Sequence, residues 1–190
     1  MKEKIEHILR ACAELHERLA EQSGLIEQVA RRLSEVIEAG GTVYVMGNGG
    51  SAADAQHMAG ELVGRFLMER RALPCVALNT DTSIMTCVAN DYGFDSIFVR
   101  QVAALVKVGD AVVGISTSGN SANVNAAIAE ARTRGALTVG LTGKDGGLLA
   151  KECDLAIVVP SDVTPRIQEA HATIIHILCE LIEQSLCGGK

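Results

Sequence analysis

No uninterrupted apolar stretch among the 190 residues reaches the length of a membrane span. Acids interrupt every short apolar stretch of the opening MKEKIEHILRACAELHERLAEQ, so the charged-then-apolar layout of a secretion signal is missing and the cytoplasm is the expected compartment. The six cysteines, Cys12, Cys75, Cys87, Cys153, Cys179 and Cys187, form no C-x-x-C pair. That removes zinc ribbons and redox motifs and leaves buried thiols as the expectation. An excess of positive charge is lacking too: 17 basic against 23 acidic residues give a formal charge of −6, which opposes general attraction to nucleic acid or an anionic membrane. An anionic substrate therefore needs a local site. No linker, low-complexity tract or solenoid repeat divides the chain, and one domain over 1–190 is expected.

Hydrophobic residues at 48% and charged residues at 21% suit a globular core. Residues 2–22 space Ile5, Ile8, Leu9, Cys12, Leu15 and Leu19 three and four apart, which predicts an amphipathic helix, with a second over about 24–39 closed by Gly40 and Gly41. The stretch 42–66 then reads as strand, glycine-rich turn and helix, and 109–135 repeats that order. Short strands are expected at 74–79, 138–143 and 155–160, with a helix at about 146–152. From Pro165 to about Leu186, the repeat of Ile167, Ala170, Ile174, Ile175, Leu178, Leu181 and Ile182 predicts a long terminal helix. Alternating strands and helices define an α/β class with a parallel, doubly wound sheet, and the apolar faces of the terminal helices fit burial in an oligomer.

Two loops follow strands. Ser116, Thr117, Ser118, Gly119, Asn120 and Ser121 stand between the strand AVVGI and a helix, where backbone N–H groups attract an oxyanion, Gly119 permits close approach and four hydroxyls can donate. Capping or turn formation is the plainer role of such residues. The number of hydroxyls and their place at the carboxyl end of a parallel strand favour a phosphate site. The other loop, Gly47, Asn48, Gly49, Gly50 and Ser51, can bring amides and the Asn48 side chain to a polyol, or can simply turn tightly. It matches neither G-x-x-x-x-G-K-[ST] nor G-x-G-x-x-G, so a nucleotide cofactor has no support.

His57 and Glu61 fall one turn apart on one helix face, a spacing suited to a shared metal or to a surface hydrogen bond. On the terminal helix Gln168, His171 and His176 are polar groups amid apolar ones. At 100° per residue the two histidines point about 140° apart, so only one of them can face a given site.

Taken together, GNGGSAADAQH (47–57), ELVGRF (61–66), ANDYGF (89–94), STSGNSANV (116–124), LTGKDGG (141–147) and RIQEAHATIIHIL (166–178) resemble the phosphoheptose isomerase family over nearly the whole chain. The resemblance implies a sugar isomerase (SIS) type three-layer sandwich with flanking N- and C-terminal helices. It also implies a homotetramer with active sites between subunits, and zinc. It assigns Glu61 and His176 as the acid/base pair, and His57, Glu61, Gln168 and His176 as zinc ligands. Ser116, Thr117, Ser118 and Ser121 become phosphate contacts, while Asn48, Gly49, Gly50, Asn90, Asp91 and Gln168 touch the rest of the substrate. Arg65 and Ser51 are further candidates, with an exposed ion pair and helix capping as their alternatives. The implied reaction carries D-sedoheptulose 7-phosphate to D-glycero-D-manno-heptose 7-phosphate through an enediolate. ALNTD (77–81) also resembles a non-enzymatic SIS regulator of the bacterial replication initiator. That regulator lacks the full acid/base set, and an SIS sugar-phosphate sensor would not need it, whereas this chain keeps both Glu61 and His176.

Overall fold

The computed structural model describes residues 1–188. Two amphipathic helices open the chain, α1 (Lys2–Leu19) and α2 (Ser23–Glu38), joined by a 3-10 turn at Ala20–Gln22. In α2 the residues Ile26, Val29, Ala30, Leu33 and Ile37 are buried, the stripe that three- and four-residue spacing dictates. In α1 only Leu15 and Leu19 are buried, and Ile5, Ile8 and Leu9 remain exposed.

Strand β1 (Val43–Gly47) leads into α3 (Gly50–Val63), and the edge strand β2 (Cys75–Ala77) follows. At three residues β2 is shorter than the six expected. Two helices that the apolar pattern does not announce come next, α4 (Thr82–Tyr92) and α5 (Val99–Leu105). The Asp81 carboxylate starts α4 by accepting the Ile84 N–H at 2.9 Å, a cap that supplies what periodicity does not. The remainder alternates as expected: β3 (Ala111–Ser116), α6 (Ala122–Thr133), β4 (Leu137–Gly143), α7 (Gly147–Glu152), β5 (Leu155–Val159) and α8 (Thr164–Cys187), with proline in the first turn of α8.

All strands pair in parallel in the order β2-β1-β3-β4-β5. Every residue of β3 and β4 is buried, as strands covered on both faces require. Val43, Val45, Val113, Ile115, Val139 and Leu141 pack with α1, α2, α3 and α8, while Met46 and Val112 face α5 and α6. Three layers result. In α8 the side chains of Ile167, Ile174, Ile175, Leu178 and Ile182 are fully buried, each contributing about 1.5–3 kcal/mol of transfer free energy. The thiol expectation holds in part: Cys75 and Cys179 are buried, Cys12, Cys153 and Cys187 are half-buried and Cys87 is exposed. Burial pushes the thiols of Cys75, Cys153 and Cys179 up to about 12, which keeps them from acting as nucleophiles. Among the described residues no helix is long and apolar enough to cross a membrane.

Candidate active site

The strand order reverses between β1 and β3, and in an open parallel sheet a crevice forms at the carboxyl ends of the strands where that happens. Gly47 pairs in register with Ile115, so the loops that follow the two strands leave side by side. They are tied together by a reciprocal amide pair: Asn48 Nδ2 donates to Asn123 Oδ1 at 2.8 Å, and Asn123 Nδ2 donates to Asn48 Oδ1 at 2.9 Å. Asn123, buried near the start of α6, is a site residue that the sequence reading missed, although it lies within STSGNSANV.

In the 116–121 loop the hydroxyls of Ser116 and Ser121 meet at 2.9 Å, and Ser116 is buried. Ser121 is the residue before α6, yet its side chain makes no capping bond. The capping alternative therefore does not describe Ser121, and its hydroxyl stays turned to Ser116 at the strand end. Gly119 has φ +66°, and a Cβ there would collide with the Gly146 carbonyl, so the loop lies directly on the β4–α7 connection. Its carbonyl accepts from Leu149 N at 2.9 Å and from Asn125 Nδ2 at 3.2 Å. Asn120 Oδ1 accepts from Leu148 N, and Ser118 Oγ accepts from Asn120 N. Among the described residues the Thr117 hydroxyl has no partner and is available to a ligand.

Helices α3 and α8 pack together and carry the titratable groups. His57 Nε2 lies 2.7 Å from His176 Nε2 and 3.6 Å from Glu61 Oε1. The imidazole rings are 4.9 Å apart between centroids, and Phe66 backs His176 at 5.6 Å. The side chains of His57 and Glu61 are 45% and 25% exposed, open enough to receive a substrate. Of the two histidines of α8, His176 faces this cluster. His171 is buried and its Nε2 donates to the Thr142 carbonyl at 3.0 Å, while burial lowers its pKa to about 4 and holds it neutral. The 140° separation is thereby resolved in favour of His176.

Gln168 lies two turns before His176, about 12 Å of helix rise away. Its amide sits over Gly50, where any Cβ would collide with it, so it closes over the glycine loop. Ser51 is buried in the first turn of α3, and the cap position, Gly49, offers no side chain. Asn90 and Asp91 end α4, exposed and bonded to each other at 2.7 Å, with no hydrogen bond to either loop among the described residues. Arg65 makes an exposed pair with Glu69 at 3.9 Å. Asp54, one turn before His57 and absent from the expected set, keeps one carboxylate oxygen buried without a partner among the described residues. Desolvation raises its pKa, partly offset by His57.

His57, Glu61 and His176 offer two imidazole nitrogens and a carboxylate oxygen within 4.8 Å of one another. Three such donors, two imidazoles and a carboxylate, could hold a metal ion. The facing of two Nε2 atoms, only one of which can donate to the other when both rings are neutral, fits a shared cation.

A five-stranded parallel sheet in this order, covered by helices on both faces, has the fold of a sugar-isomerase domain. The SIS domain family model matches residues 7–143. The chain belongs to the phosphoheptose isomerase family. A phosphoheptose isomerase of Pelobacter propionicus is 60% identical over 162 residues, covering 85% of this chain and 86% of that protein. The structures of the phosphoheptose isomerases of Neisseria gonorrhoeae and Francisella tularensis superpose with TM-scores of 0.92 and 0.93, at 40% and 39% identity. Each covers 96% of this chain, and 98% and 97% of the other.

Proposed function

We infer that the chain is a ketose–aldose isomerase that converts D-sedoheptulose 7-phosphate to D-glycero-D-manno-heptose 7-phosphate, supplying heptose precursors of bacterial surface glycans. The observation that carries the mechanism is the meeting of Glu61 and His176 with His57 across the α3–α8 seam. The shared name of close relatives supports the substrate.

The phosphate binds among Ser116, Thr117, Ser118 and Ser121, with the N-terminus of α6 beneath it, and holds the reacting carbons in place. Asn48, Gly49, Gly50, Asn90, Asp91 and Gln168 contact the polyol, and Ser51 supports that loop. Glu61 removes a proton from C1; the C1–H electron pair becomes the C1=C2 bond, and the carbonyl pair moves to O2, where His176 supplies a proton. In the second half O1 gives its proton to His176, the C1=O bond forms, and the C1=C2 pair takes a proton from Glu61 at C2. His57, Glu61, His176 and Gln168 would hold a zinc ion, whose charge would stabilise negative charge developing on the substrate oxygens. Nearby N–H groups share the negative charge.

The whole of 1–190 acts as one domain and works as a cytoplasmic homotetramer. Exposed apolar side chains of α1, and Tyr92 and Phe94 beside Asn90 and Asp91, support sites completed between subunits. Turnover of sedoheptulose 7-phosphate, measured with and without added zinc, tests the reading, together with solvent hydrogen exchange at C1. A folded protein that binds the sugar phosphate but catalyses neither would be a regulator or a sensor.

A further inference from the structure

The last carbonyls of an α-helix have no partner within it. At the end of α3 one side chain meets several of them. The Arg70 guanidinium donates from Nη2 to the Glu61 carbonyl at 2.8 Å, and from Nη1 to the carbonyls of Leu62 at 2.8 Å and Gly64 at 3.1 Å. Its Nε donates to Glu183 Oε1 at 2.9 Å, and the side chains of the pair are only 2% and 1% exposed. The Glu183 carboxylate also accepts three consecutive backbone N–H groups, those of Phe66, Leu67 and Met68, at 3.1, 2.8 and 2.9 Å. Desolvation alone would raise the Glu183 carboxyl, yet these N–H groups and Arg70 hold it below its usual range, so Glu183 is ionised at neutral pH.

Glu183 follows His176 by seven residues on α8, which places the two about 20° apart on one stripe of the helix. The same pair therefore grips the Glu61 end of α3, the turn that holds the Phe66 ring against His176, and α8 itself. Replacing a buried ion pair by apolar groups of similar volume is often neutral or stabilising, so stability alone gives no reason for one here. Its forked geometry does, because a planar guanidinium can hold the helix-end carbonyls and a carboxylate at once.

We propose that Arg70 and Glu183 are positioning residues of the reaction, a buried clamp that fixes the Glu61 carboxylate relative to the His176 imidazole across the α3–α8 seam. The inference rests on the reading of Glu61 and His176 as the acid/base pair. A displacement of about 1 Å in such a pair costs up to roughly a hundredfold in rate while leaving phosphate anchoring untouched.

The test compares wild type with Arg70→Lys, Glu183→Gln and the double variant Arg70→Met/Glu183→Leu, each checked for assembly and assayed well below its melting temperature. Arg70→Lys keeps the charge but not the fork, and the double variant leaves no unpaired buried charge, so both provide folded protein if Glu183→Gln does not. The expected result is a ten- to hundredfold fall in kcat, matched by the fall in C1 hydrogen exchange. KM and the affinity for inorganic phosphate should stay within about threefold of wild type. Folded variants with wild-type kcat and only a lower melting temperature would overturn the proposal, as would KM and phosphate affinity worsening in step with kcat. A wild type that neither isomerises nor exchanges overturns the acid/base reading and the clamp with it; an active wild type beside fully active variants overturns the clamp alone.

Discussion

Ser116 and Ser121 meet across five positions of the chain, whereas His57 and His176 meet across 119. The 116–121 loop is pinned by its own amides and by the β4–α7 connection below it, so its shape is set within a short piece of chain at the end of a fully buried strand. The α3–α8 seam has no such local definition. Its geometry follows from how two helices pack on one sheet face, and it depends on residues as distant as Arg70 and Glu183. Binding should therefore be damaged mainly by changes within the loop, and turnover by changes anywhere along the seam.

The sharpest break of that contrast lies in the seam. Glu61→Gln and His176→Asn nearly preserve shape but remove a carboxylate and an imidazole, and each should lower kcat by roughly 10²–10⁴-fold while phosphate binding survives. Zinc content and oligomeric state, measured on the same proteins, separate lost proton transfer from lost assembly. Equal losses of phosphate affinity and kcat would mean that the two regions are not separable.

His171 sharpens the comparison within one helix. Five residues from His176, it is buried, with a folded-state pKa of about 4 against an ordinary value of 6.5. Between those values the unfolded chain holds more protons than the folded one, so stability rises with pH there. The contribution is complete above pH 6.5 and disappears as pH falls towards 4, a change of about 3 kcal/mol. Denaturant unfolding of wild type and His171→Asn across that window checks it. The variant should lose most of the wild-type acid slope, and an unchanged slope would remove His171 as its source.

In the loop, Ser116→Ala and Ser121→Ala should each weaken sugar-phosphate binding by about 1.5–3 kcal/mol, the usual range for a hydrogen bond to a charged group, with the fold intact. Titration with the sugar phosphate reads this directly. An unchanged affinity in the double variant would sink the cradle.

The same contrast governs what the sequence discloses. Both loops, the parallel sheet and the terminal helix could be read because each is a local pattern: β-branched runs, glycine and hydroxyl clusters, and a three- and four-residue apolar stripe. The helices α4 and α5 escaped because their apolar stripes are short, and α4 is started by the single cap Asp81. His57 and Glu61 were visible as an i, i+4 pair, but the choice between His171 and His176 required knowing which side of α8 meets the sheet. Asp54, Asn123 and the Arg70–Glu183 pair carry no signal of spacing at all, since what defines them is a partner brought by tertiary packing or, for Asp54, the lack of one.

The smallest expected effect tests whether the two loops act as one surface. Asn48 and Asn123 exchange two neutral hydrogen bonds, each worth about 0.5–1.5 kcal/mol net. Asn123→Ala removes both, and also the acceptor of the Val124 N–H at the start of α6, without touching Glu61, His176 or the serine hydroxyls. Freed from its partner, Asn48 should lose its orientation towards the polyol. KM is then expected to rise roughly three- to tenfold, with kcat within twofold of wild type. Because Asn123 is buried, the melting temperature should fall a little as well, and the assay belongs well below it. A drop in kcat with KM unchanged would place Asn123 with the seam instead of the cradle, and would erase the division between binding and turnover at the point where the two loops join.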